Sequence, residues 1–161
     1  VSVYIAVCGP DPSSQEVGAQ AEEIGRLLAG AGAVLVCGGL GGVMEAASRG
    51  ASGAGGTVIG ILPGVDRAAA NPHLTLSIPT GMGEMRNTLI VRSADALIAV
   101  AGEFGTLSEI AFALKTGVPV VGLNTWELGK RGDRVEAFAV AASPTDAVEQ
   151  ALGLAGGRPL R

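Results

Sequence analysis

The chain has 161 residues, enough for one domain with a sizeable core. Apolar residues make up 48% of it and aromatic ones 3%, so Ala, Val, Leu and Ile must build that core. A net charge of −4 argues against a general nucleic-acid binder, and no uninterrupted apolar run reaches the ~18 residues of a transmembrane helix.

The opening residues lack a basic segment followed by a long apolar stretch and a cleavage site, so a cytoplasmic protein is expected. Cys8 and Cys37 end the first two apolar runs and read as structural thiols of a reducing compartment. Two distant cysteines and the lone His73 are too few for a zinc site, so no metal is expected.

Apolar runs of strand length alternate with helical stretches. Residues 3–8 read as a strand. Ser13 with Glu16 three positions on fits a capping box, and residues 14–29 carry Val17, Ala21, Ile24, Leu27 and Leu28 at helical spacing. Residues 33–37 form a second buried strand, 38–42 a glycine-rich turn and 43–54 a helix. A third strand covers 57–62 and stops at Pro63-Gly64; a surface loop at 65–72 and a short strand at 74–78 follow. Residues 81–93 read as a helix, 96–101 as a strand and 106–116 as a helix. The strand at 118–123 tolerates Pro119 near its start. A polar loop at 124–133 holds Trp126, either a lid residue or an oligomer contact. Residues 137–142 are the last strand, and Pro144 opens a helix to about 154.

Continuous Val, Ile and Leu strands joined by helices imply an α/β fold: a single doubly wound parallel sheet of about seven strands, Rossmann-like, with helices on both faces. No internal repeat or linker divides the chain, so residues 1–155 are expected to form one nucleotide-binding domain and 156–161 a loose tail.

Ligands of such sheets bind beyond the carboxyl ends of the strands, near the switch in strand order. Three strand-end loops are therefore candidates. The first begins at Gly9 and runs to Ser14, where free helix amides can hold an anion. The second contains Gly38, Gly39, Gly41 and Gly42 just before a helix, so its amides can face a phosphate. It matches neither the Walker-type loop nor a clean dinucleotide fingerprint, and it lacks a lysine for a nucleoside triphosphate. The third contains Gly102, Glu103, Gly105 and Thr106, with Glu109 one helical turn on and Arg86 and Asn87 upstream. One carboxylate, one guanidinium and an amide-rich turn suit cleavage of an N-glycosidic bond, which develops positive charge on the sugar. The plainer readings are a capped turn, a packing turn, and a surface Glu with a helix-supporting Arg.

Residues 38–51, with G-G-V-M-E-A-A-S-R-G-A, resemble a glycine-rich segment of the "lonely guy" (LOG) and DprA-like Rossmann superfamily, long mislabelled as possible lysine decarboxylases. So do residues 82–109, M-G-E-M-R-N-T-L-I-V-R-S-A-D-A-L-I-A-V-A-G-E-F-G-T-L-S-E. The resemblance covers about residues 3–154 and is most specific in the Arg followed about twenty residues later by G-T-x-x-E. The subgroup it looks most like is similar to molybdenum cofactor carrier proteins.

The resemblance implies release of a free base from a nucleoside 5′-monophosphate. It places the catalytic Glu of P-G-G-x-G-T-x-x-E on Glu109, the phosphate-holding Gly-Thr on Gly105 and Thr106, and the catalytic arginine on Arg86. It implies neither lysine decarboxylation nor pyridoxal phosphate. The chain departs from the pattern at Ala101 for Pro, Glu103 for the second Gly, Asn87 for a basic residue, and Leu40 within the earlier glycine run. At about 5 Å and an effective dielectric of about 20, Glu103 would repel a phosphate charge by roughly 3 kcal/mol unless Arg86 or Arg92 neutralised it or its side chain turned outward.

Two functions follow: a LOG-type phosphoribohydrolase requiring no cofactor, or a non-catalytic binder of molybdenum cofactor or a nucleotide. Either takes a small nucleotide or pterin ligand, with no nucleic acid and no membrane as partner. The apolar helices at 81–93 and 106–116 fit a homodimer or homotetramer interface, although a buried helix would read alike.

Overall fold

In the computed structural model, which describes residues 2–157, β1 (Tyr4–Cys8) leads through α1 (Gln15–Gly30) to β2 (Val34–Cys37). The chain continues as α2 (Gly42–Gly53), β3 (Val58–Leu62), β4 (Leu76–Pro79), a 3-10 turn (Gly83–Arg86) and α3 (Asn87–Arg92). It then forms β5 (Ala96–Val100), α4 (Phe104–Thr116), β6 (Val120–Leu123), β7 (Leu128–Lys130), β8 (Asp133–Val135), β9 (Ala139–Ala141) and α5 (Pro144–Gly156).

Seven strands form one parallel sheet in the order β4-β3-β2-β1-β5-β6-β9. This is the expected doubly wound α/β architecture, with helices on both faces. Winding reverses between β1 and β5, where Ile5 pairs with Leu35 on one side and Ala96 on the other. The connections diverge there and leave a crevice at the carboxyl ends of the two strands.

Alternation along each strand sorts the core into two halves. Ile5 and Val7 pack with Ala21, Ile24 and Leu28 of α1, Val43 and Ala47 of α2, and Ala147 and Ala151 of α5. Ala6 and Cys8 point to the opposite face, among Ile90 and Val91 of α3 and Ile110 and Ala113 of α4. That parity aims Cys8, the last residue of β1, at the helix that carries Glu109. Small residues permit unusually close helix contact: a methyl on Gly50 would lie 1.9 Å from the carbonyl oxygen of Glu22 across α1 and α2.

Several sequence expectations are corrected. Ser14, not Ser13, caps α1, its Oγ accepting from the Val17 N–H at 3.2 Å. Glu16 then stands at the second helical position, one short of the capping box. The helix expected at 81–93 starts late, as the 3-10 turn that runs directly into the short α3, because Gly81 and Gly83 have φ of 65° and 57°, outside the helical region. The loop expected at 124–133 contains part of an antiparallel hairpin, β7 with β8. Its two-residue turn, Arg131-Gly132, takes φ of 55° and 91°, the positive pair that a tight hairpin needs. Helix α4 starts at Phe104, two residues before the expected 106, and α5 runs on to Gly156. Of the expected tail 156–161, residues 158–161 lie outside the described residues. Among the described residues no helix is long and apolar enough to cross a membrane.

Candidate functional site

The crevice at the β1–β5 switch is a cleft of about 520 Å³. Backbone at Gly9 and Gly38 forms part of it, as do Glu103, Gly105 and Thr106 at the start of α4, and Arg86 and Glu109 both line it. Parts of all three strand-end loops therefore meet at one place. Gly39, Gly41, Gly42 and Gly102, also expected at the ligand, are not among the lining residues.

The reason is local packing. The loop after β1 crosses the amino end of α2, and the Val43 N–H donates to the Pro10 carbonyl at 3.0 Å. A side chain on Gly42, whose φ is 58°, would meet that same carbonyl at 2.2 Å. The Asp11 carboxylate lies 2.8 Å from where a Gly41 Cβ would stand. The protein's own loop thus covers an anion position that the glycine pattern had offered to a ligand. Asn71 fixes the turn from the other side, donating to the Leu40 carbonyl at 3.1 Å and accepting from the His73 N–H at 3.1 Å. This places His73 in a supporting loop.

Gly38 has a different task. Its missing Cβ would sit 2.6 Å from Nη2 of Arg86, so the glycine makes room for the guanidinium. Arg86 closes the 3-10 turn and is 8% exposed. Nη2 donates to the Gly38 carbonyl at 3.4 Å and Nη1 to Oδ1 of Asn87, while buried Nε has no partner. Burial draws its pKa down, with nearby Glu109 acting the other way. An arginine cannot be deprotonated in practice, so the buried charge with a free donor calls for an acceptor.

Glu109 faces inward from α4 and is 6% exposed. Desolvation pushes its pKa up to about 7, against the opposing pull of Arg86 and of the Cys8 thiol, which donates to it. The same burial and the neighbouring carboxylate raise the Cys8 pKa well above its ordinary value, so that thiol stays protonated. Cys8 is therefore a hydrogen-bond donor in the site, not only a core residue. Its position as last residue of a central strand, next to Gly9, was the signal in the sequence.

The turn before α4 departs from the P-G-G pattern in backbone as well as in residue type. Ala101 has φ of 51° and Gly102 φ of 138°. A proline ring fixes φ near −65°, so a proline at 101 would force a different turn. Glu103 is exposed, caps α4 without a side-chain hydrogen bond and lines the cleft. Among the described residues no ion pair joins it to Arg86 or Arg92; the latter instead lies over the Phe112 ring at 5.7 Å. Trp126 reaches back from the loop after β6, donating its indole N–H to the Glu103 carbonyl at 3.2 Å, with its ring 5.6 Å from that of Phe104. It braces the amino end of α4.

The cleft is acidic at its rim. Asp11, Glu84, Glu103 and Glu109 line it, and Arg86 is the one basic lining side chain among the described residues. Near pH 7 Glu109 is about half neutral, which spares an anion one repulsion. Among the described residues no group of three or more His, Cys, Asp or Glu side chains is placed to hold a metal ion.

Known proteins resemble this chain along nearly its full length. An uncharacterized protein of Archaeoglobus fulgidus is 42% identical over 150 residues, 93% of this chain and 95% of its own. The molybdenum cofactor binding protein of Rippkaea orientalis superposes with a TM-score of 0.86 at 34% identity, over 96% of this chain and 98% of its own. The molybdenum cofactor carrier protein of Chlamydomonas reinhardtii does so with a TM-score of 0.85 at 32% identity, over 97% and 99%. The SLOG cluster4 family model matches residues 2–150. With that match spanning the sheet, the switch-point cleft and both Arg86 and Glu109, the chain belongs to the SLOG cluster4 family, within the LOG and DprA-like Rossmann superfamily.

Proposed function

We propose that this protein binds and carries a phosphate-bearing heterocyclic small molecule, with molybdenum cofactor as the leading cargo and a nucleotide as the alternative. The carrying observation is buried Arg86 at the cleft, with an Nε–H that has no partner in the protein. A monoanionic or dianionic group seated there satisfies the donor and neutralises the charge. Amides at the first turn of α4 and the Thr106 hydroxyl lie on the same cleft and complete an anion site. Glu109, half protonated, donates to or accepts from the ligand without a fixed charge.

Support for a carrier over a hydrolase comes from two sides. The relatives named for molybdenum cofactor match at 32% and 34% identity along nearly their whole length. The α4 turn has Ala101 in the left-handed region and an acidic residue at 103, which weakens the grip on a ribose phosphate that turnover needs.

A second reading, the LOG-type phosphoribohydrolase, rests on Arg86 and Glu109 sharing one cleft with Glu109 poised near 7. In it Arg86 holds the ribose phosphate and Glu109 stabilises the cation developing at C1′. Water then adds to C1′ as the C1′–N bond breaks, and the base leaves with a proton. The roles given to Arg86, Glu109, Gly9, Gly38, Gly105 and Thr106 are proposals in both readings.

The test is mass spectrometry of small molecules released from protein purified under native conditions, followed by calorimetry with the compound found. A phosphate-bearing pterin or nucleotide that stays intact over hours supports the carrier. Stoichiometric release of free base from a nucleoside 5′-monophosphate installs the hydrolase instead, and no bound or binding compound removes both. A homo-oligomer belongs to the same proposal, since Met82, Met85 and Leu89 are 42%, 70% and 36% exposed along one segment. Light scattering reading a monomer would remove that part.

A further inference from the structure

We infer that a second cavity, beside the first cleft and walled by Trp126, receives the planar heterocyclic ring of the ligand whose anionic end lies near Arg86. The inference rests on the binding function proposed above. The cavity measures about 400 Å³, within the range of small-molecule sites. It lies over the ends of β6 and β9, with Leu128 of β7 and Val135 of β8 on its hairpin side. Trp126 and Phe138 supply aromatic surface, and Thr125 lines it with a buried hydroxyl that has no partner. A flat ring with nitrogen and amino edges matches that combination: its faces cover the indole, and its edge supplies the missing hydrogen bond.

Two features tie this cavity to the first. Trp126 is held in place by Glu103 and Phe104, both of which line the first cleft, so one pair of aromatic rings stands between the two spaces. In the sheet, the first cleft sits over β1 and β5 and the second over β6 and β9, two strand spacings or about 10 Å away. That separation is within the reach of a mononucleotide or a pterin phosphate. The first cleft adds Pro10, Leu40, Met44 and Pro63 to its glycine backbone, carboxylates and Arg86, but its aromatic lining among the described residues is Phe104 alone, 76% exposed, whereas the second cavity holds both Trp126 and Phe138 beside Glu127, Arg134 and Glu136.

Trp126 is the chain's single tryptophan, so its fluorescence reads the second cavity directly. Adenosine and a phosphate-free pterin are titrated against the parent protein and three variants, with adenosine 5′-monophosphate alongside. Expected is saturable quenching by at least one ring compound. Ala137→Phe, which fills the exposed mouth of the cavity, should weaken it by at least about tenfold; Thr125→Val should weaken it severalfold, and Arg86→Gln should remove the advantage of the monophosphate over adenosine. Thr125→Val serves alone if Ala137→Phe loses the parent's circular dichroism spectrum. Ring binding that survives both cavity variants yet disappears with Arg86→Gln overturns the second subsite and leaves the proposed function standing. If neither the ring compounds nor the monophosphate binds, the proposed function falls with it.

Discussion

Replacing Glu109 by Gln should make the folded protein more stable at pH 8 and give little change at pH 4. The carboxyl titrates at about 7 in the fold against an ordinary 4.5. The folded state therefore holds this proton more tightly than the unfolded chain does. Between those two values the unfolded chain has released the proton and the folded protein has not, so each step up in pH favours unfolding. The difference, 7 − 4.5, at about 1.4 kcal/mol per pH unit amounts to about 3 kcal/mol, lost between roughly pH 4.5 and 7 and absent below. Gln is neutral throughout and escapes it.

Two side effects of the substitution do not mimic this signature. Removing a carboxylate leaves Arg86 without its one nearby counter-charge on α4, and it leaves the Cys8 thiol facing an amide. The arginine stays charged and the thiol protonated across this pH range, so both contribute a constant offset. The reading is therefore the slope. Urea unfolding followed by circular dichroism from pH 4 to 8.5 should show the stability of the Gln variant rising relative to the parent by about 3 kcal/mol. For a chain of this length that is roughly 6–12 °C in melting temperature. Parallel pH profiles for the two proteins would show that Glu109 is not held in a desolvated pocket, and the electrostatic account of the site would fail.

Arg86→Gln should lower affinity for a phosphate-bearing ligand by at least about tenfold in calorimetry, since one charge-assisted contact is worth about 1.5–3 kcal/mol; an unchanged affinity would place the anion elsewhere. Gly50→Ala puts a methyl 1.9 Å from the backbone oxygen of Glu22, which α1 can relieve only by moving, so a loss of roughly 1–3 kcal/mol in urea unfolding is expected. Trp126→Phe keeps the ring contact with Phe104 and removes the hydrogen bond to the Glu103 carbonyl. About 1 kcal/mol of stability should go with it, and amide exchange should quicken in the first turn of α4 more than in α5.

Fold class was readable because buried parallel strands carry continuous apolar runs, and their order with intervening helices leaves few topologies open. The crevice was readable for the same reason: strand ends and a winding reversal locate it before any side chain is placed. Boundaries set by a single donor or by positive φ were not. Ser13 and Ser14 are chemically identical caps, and only the chain path decides which one meets the Val17 N–H. The hairpin turn Arg131-Gly132 lacks the Asn or Asp that usually marks such a turn, so its strands read as polar loop.

The glycines show most clearly what a one-dimensional pattern leaves open. A glycine accepts a phosphate and a neighbouring backbone equally well, since both need the space a Cβ would fill. In the second turn, Gly38 yields that space to Arg86 and Gly42 yields it to the Pro10 carbonyl. The loop after β1 thus takes over the amino end of α2, and in the binding function proposed above the anion is held by Arg86 and the start of α4. Under that proposal, a chain that keeps Arg86 and Glu109 while filling one glycine turn with its own backbone holds a charged guest at fewer points. That is a better match to cargo that must be handed on than to a substrate that must be gripped through a transition state.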